Sequence, residues 1–190
     1  MYGFTGMLII LGIYVGLRTG LFECGFTFLA FSKTKLGKAN LEEATAFGVG
    51  FGGIEAIFIG IPSLIQLTLF IVNPSIIESL PPPQGEVFES SLNSSTWIAA
   101  IPMIEKTFTL FTHVFATILI YLSAKQHRPR LLFSSILYKS MLDAFVSYIQ
   151  TMINIQKPIT FLEAEAWIIT MGLIGLLGVV RFRKTYQDTR

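Results

Sequence analysis

At 190 residues the chain is long enough for one domain. Hydrophobic residues make up 52% and charged residues 14%, with a mean hydropathy of +0.63, whereas a soluble domain carries roughly 25% charged residues; this excludes an ordinary soluble fold and points to a polytopic membrane protein. A net charge of +2 gives no reason to expect nucleic acid, and the single cysteine, Cys24, excludes an internal disulfide and any zinc site built from several thiolates.

A membrane-spanning helix needs about 20 mainly apolar residues, and five segments meet that length: about 4–31, 44–72, 97–124, 131–153 and 161–180. The predicted fold is therefore all-α, a single transmembrane helix bundle of about five spans over residues 1–190. The first apolar run has no basic flank and is too long for the core of a cleavable signal peptide. Several spans exceed the minimum, so tilt or kinks are expected, with Pro62 and Pro102 the natural kink sites.

The connections sort by charge. Lys33, Lys35 and Lys38 follow the first span, Lys125, Arg128 and Arg130 the third, and Arg181, Arg183, Lys184 and Arg190 the fifth. The opposite side holds only Lys157, so ten basic residues face one, and the positive-inside rule predicts an outside N-terminus and a cytoplasmic C-terminus. The external loop 73–96 carries Pro81-Pro-Pro83, three glutamates and a formal glycosylation sequon at Asn93, and is expected to be partly ordered with polyproline character. Trp97 and Trp167 fall where external interfacial anchors belong.

Ionisable residues within the spans are expensive and mark a site or a buried pairing partner. With about 1.5 Å of rise per residue, Glu23, Glu55, His113, Lys139 and Asp143 lie about 14, 17, 17, 12 and 18 Å from the inner ends of their helices. Five polar groups from four helices thus share one layer, at or just inside the midplane, while Glu105 sits nearer the outer face. Lys139 and Asp143 are spaced i, i+4 and can pair. Two readings remain open: a salt-bridge network that fastens the helices, or a catalytic or transport site. His113 with two or three carboxylates at its depth makes proton transfer or metal ligation credible, although one intramembrane histidine is few for a metal, and no metal or other cofactor is expected. Around Glu55, Gly48-x-x-x-Gly52 is a small-residue packing motif. Gly50, Gly52 and Gly53 leave room for close approach beside the carboxylate.

Phe22-Glu-Cys-Gly-Phe-Thr-Phe-Leu-Ala-Phe31, Gly48-Val-Gly-Phe-Gly-Gly-Ile-Glu-Ala-Ile57, Glu105 with His113, and Lys139 with Asp143 together resemble the YhfC family. The resemblance runs from about Gly16 to Phe145 and implies an intramembrane protease of the glutamic type, related to the CAAX prenyl protease and bacteriocin-processing group. Members of that family are typically longer at the N-terminus, which implies a shortened core here. The resemblance implies catalytic roles for Glu23, Glu55 and His113, with Glu105, Lys139 and Asp143 as cavity or structural polar groups. Against the family pattern, Cys24 stands where a second glutamate is usual, Thr27 where an arginine is usual, and Phe51 and Lys139 where histidines are usual. A phenylalanine donates no hydrogen bond, and a cysteine is a poor substitute for a carboxylate base.

Three functions follow as expectations. The first is a catalytically degenerate member that binds a membrane partner or a hydrophobic peptide. The second is a working peptidase with an altered site, in which a glutamate activates water. The third is a small transporter or transport-complex subunit. The expected environment is the lipid bilayer, and five spans are few to enclose a site without a neighbour, so an oligomer is plausible on size.

Overall fold

The computed structural model describes residues 2–81, 101–153 and 159–187. These are helical, with no strand among the described residues: α1 (Tyr2–Lys33), a 3-10 turn (Lys35–Lys38), α2 (Leu41–Val72), a one-turn α3 (Ser75–Glu78), α4 (Ile101–Gln126), α5 (Pro129–Ile153) and α6 (Ile159–Gln187). Four helices are long and apolar enough to cross a membrane: Gly6–Lys33, Leu41–Val72, Ile101–Gln126 and Glu163–Thr185. The protein is thus a multi-pass membrane helix bundle.

The expected fourth span is a helix of mixed composition. Residues 131–153 are helical throughout, within α5, but this helix is not among the four that qualify on composition. Arg130, Ser134, Ser135, Lys139, Ser140 and Asp143 account for its polarity. The remaining spans agree with the helices to within a few residues at most described ends; Trp97, the prolines beyond Pro81, the sequon at Asn93 and Lys157 lie outside the described residues. Pro62 sits inside α2. Pro102 lies at the edge of the described residues of α4.

Helix α4 is the hub. An unbroken buried run from Ala116 to Ser123 forms its inner half, and His113 is buried just ahead of it. Ile118, Ile120 and Tyr121 anchor a core shared with Cys24 and Phe31 of α1 and Ala44 of α2. Lipid cannot drive apolar surfaces together as water does, so close backbone approach carries the packing. Three glycine ridges supply it. On α1, Gly12, Gly16 and Gly20 lie against the α5 backbone: a Cβ at Gly12 would stand 2.8 Å from the Ala144 carbonyl oxygen, and one at Gly20 2.8 Å from that of Ile136. On α2, a Cβ at Gly48 would meet Val114 Cα at 2.9 Å, and one at Gly52 would meet the His113 ring at 3.2 Å. On α6, Gly172, Gly175 and Gly178 pack on Phe108, Phe111 and Phe115 of α4.

The helix ends are fixed locally. Asn40 caps α2 by accepting from the Glu43 backbone N–H at 2.9 Å, while its own N–H donates to Glu43 Oε2 at 2.8 Å. Between α4 and α5, His127 takes a left-handed φ of 54°, and the Ser123 hydroxyl donates to the Arg128 carbonyl at 2.9 Å. Tyr138 ties α5 to α6 by donating its hydroxyl to the Met171 carbonyl at 2.6 Å.

Candidate intramembrane site

Four helices each bring one ionisable side chain to a common point. Glu23 comes from α1, Glu55 from α2, His113 from α4 and Lys139 from α5. Lys139 Nζ lies 2.9 Å from Glu23 Oε2 and 3.3 Å from His113 Nε2. His113 Nε2 in turn lies 2.9 Å from Glu55 Oε2. The contacts form a chain: carboxylate, ammonium, imidazole, carboxylate.

The glycine ridges account for this convergence. Gly16 and Gly20 draw α1 onto α5, which sets Glu23 opposite Lys139. Gly48 and Gly52 draw α2 onto α4, which sets Glu55 opposite His113. Gly50 and Gly53, expected to clear space by the carboxylate, face open space.

Burial divides the four groups. His113 and Lys139 side chains are 2% and 3% exposed, whereas Glu23 and Glu55 are 23% and 36% exposed. The two nitrogen groups are therefore set deep between α4 and α5, and the carboxylates front them from α1 and α2. One ring nitrogen cannot donate to Glu55 and accept from Lys139 at once. Charge favours Nε2–H donating to the Glu55 carboxylate, while the ammonium lies 2.9 Å from Glu23 Oε2 as an ion pair without hydrogen-bond geometry. Both carboxylates are then engaged within the chain.

The expected pairing of Lys139 with Asp143 is not what forms. Lys139 turns to Glu23, and no ion pair joins it to Asp143 within 4.0 Å. Asp143 Oδ2 is buried without a hydrogen-bond partner among the described residues. Glu105 pairs with its neighbour Lys106 at 3.2 Å and stays outside the cluster, consistent with a position nearer the outer face. Phe51 packs edge-on against the His113 ring with centroids 5.4 Å apart. Cys24 also lines the space beside Glu23, and its Sγ sits 3.3 Å from Ser135 Oγ.

The space left between these groups is small. A cavity of about 10 Å³, lined by Glu23, Thr27, Phe51, His113, Thr117 and Lys139 among others, is at the limit for a single water. Thr117 is a wall residue that sequence reasoning passed over. It lies four positions after His113, so extending that helix face by one turn would have found it.

A membrane helix bundle with carboxylates and an imidazole converging within the spans has the layout of an intramembrane hydrolase. Residues 4–162 match the YhfC intramembrane metalloprotease family, and the chain belongs to that family. No curated protein and no solved structure matches it.

The family description implies a metal, where the resemblance drawn from the motifs implied glutamic-type hydrolysis. Donor atoms of Glu23, Glu55 and His113 do lie within 4.8 Å of one another. A divalent ion bound to Glu23 at about 2.1 Å, with Nζ 2.9 Å from the same oxygen, would stand within about 5 Å of the ammonium. The resulting repulsion is at least about 7 kcal/mol even at an effective dielectric constant of about 20. With Lys139 in this position, the residues present do not fit a divalent cation.

Proposed function

We propose that the protein is a catalytically degenerate member of its family that holds a membrane-embedded peptide segment rather than cleaving it. The carrying observation is the Lys139 ammonium, 2.9 Å from Glu23 and 3.3 Å from His113. It stands where a hydrolytic water and a scissile carbonyl would have to meet the glutamate. The remaining 10 Å³ has no room for both. Glu23 and Glu55, each paired inside the cluster through Oε2, stay partly exposed on the α1 and α2 side, and Ile54 and Phe58 beside Glu55 are 56% and 74% exposed.

In liposomes, wild-type protein is expected to leave a panel of single-span peptides intact. A photo-crosslinker at Ile54 should capture such a peptide, and capture should fall severalfold in Glu55→Gln. Peptide cleavage that is lost in Glu23→Ala and Glu55→Ala would overturn the reading. It would favour the second one, an altered-site peptidase, which is supported by the convergence of Glu23, Glu55 and His113.

The basic connections support an outside N-terminus, a cytoplasmic C-terminus and an external segment 73–96. In intact cells a membrane-impermeant maleimide should label Ser79→Cys and spare Lys35→Cys. The reverse pattern would invert the topology.

A further inference from the structure

We infer that the Lys139 ammonium is the resident cation of this site, a covalently built-in substitute for the divalent metal that its donor atoms could otherwise gather. Glu23, Glu55 and His113 come from three helices, yet their donor atoms lie within 4.8 Å of one another. Carboxylates brought this close need a neighbouring positive charge or a shared proton. In this chain the charge comes from a fourth helix, on a side chain 3% exposed. Lys139 Nζ contacts both Glu23 and His113, two of the three donors.

Charge balance keeps the ammonium in place. Among the described residues, Glu23, Glu55 and Asp143 bring three carboxyl groups to this layer, with Lys139 and His113 opposite them. The lysine is therefore not in surplus, and a neutral lysine would leave the carboxylates facing each other. His113 is also occupied, since its Nε2 faces Glu55 at 2.9 Å and its ring is covered by Phe51. A metal would have to displace the ammonium and free Nε2 together. Removing the charge at position 139 removes the principal barrier, and an imidazole there would add a fourth ligand of the kind zinc prefers.

This inference concerns what cation the site holds and stands whether or not the protein cleaves peptides, so a failed cleavage assay leaves it intact. The test uses purified full-length protein in detergent, with Zn²⁺ and Co²⁺ as probes. Wild type should carry far less than one zinc per chain, show no intense Co²⁺ d–d absorption, and unfold at the same temperature with or without chelator. Lys139→His should bind Co²⁺ with tetrahedral-type absorption, at least roughly tenfold tighter than wild type, and its melting temperature should rise with Zn²⁺. Adding Glu55→Gln to that variant should abolish both effects. Lys139→Arg should remain metal-free. Stoichiometric metal in wild type that a chelator removes with loss of stability would overturn the inference, and this arm decides whatever the variants' folding. A folded Lys139→His that binds no more Co²⁺ than wild type would overturn it as well.

Discussion

Lys139→Met should cost the protein about 3–5 kcal/mol of stability, the range for stripping one partner from a buried ion pair. The variant keeps an unbranched side chain, one atom shorter, and removes the charge. Glu23 then faces the site without its ammonium partner, and the Glu55–His113 pair loses a neighbouring positive charge. In a chain of this size that corresponds to a fall of about 6–20 °C in melting temperature, readable by differential scanning fluorimetry on detergent-solubilised protein. The double variant Glu23→Gln/Lys139→Met should recover much of the loss, because it removes both charges together. A single variant that melts within a degree of wild type would show that the pair carries no structural load.

The second large effect should come from Gly16→Leu. A Cβ at this position would already lie 2.7 Å from both the Ala144 backbone nitrogen and its Cβ, so α1 must move off α5 to admit any side chain. Overpacking of this kind costs about 3 kcal/mol or more when backbone blocks both sides. The same movement separates Glu23 from Lys139, so the variant should lose the ion pair along with the packing. Gly50→Ala is the control: nothing lies within 4 Å of its added methyl, and alanine favours helix by about 1 kcal/mol over glycine. It should be neutral or slightly stabilising in the same melt. Equal losses in the two variants would mean that the α1 ridge is not what holds these helices together.

Much of the bundle was legible from apolar run length, because in a membrane the backbone must satisfy itself and helix is the available solution. Depth arithmetic alone placed Glu23, Glu55, His113 and Lys139 in one layer, and the structure brings all four into a chain of contacts. Partner choice was not legible. The i, i+4 spacing offers Asp143 to Lys139, but helix rotation is set by glycines on other helices, and it turns the ammonium to Glu23. The Gly12, Gly16 and Gly20 ridge has the same four-residue period as Gly48 and Gly52, and its period was there to be read. It drew less notice because no carboxylate sits inside it. The polarity of α5 was equally visible in the residues, yet a length criterion passes over it. Glu105 and Asp143 show the limit of layer reasoning: depth says which groups are level, and only packing says which ones touch.

The division of the cluster among α1, α2, α4 and α5 also bears on the order in which the chain is made. Glu23 and Glu55 are synthesised, and their helices offered to the bilayer, well before His113 and Lys139 exist. Each carboxylate must enter without its partner, at a cost of about 3 kcal/mol for a charge near a helix centre. Both belong to helices apolar enough to insert on their own account. Helix α5 is in the reverse position. It carries Lys139, does not qualify by composition, and arrives when Glu23 and the α1 glycine ridge are already there to receive it. The carboxylate of the first helix thus acts as a docking point for a late and reluctant one, and Glu23→Leu should impair membrane integration of α5 during biogenesis as well as the stability of the finished bundle.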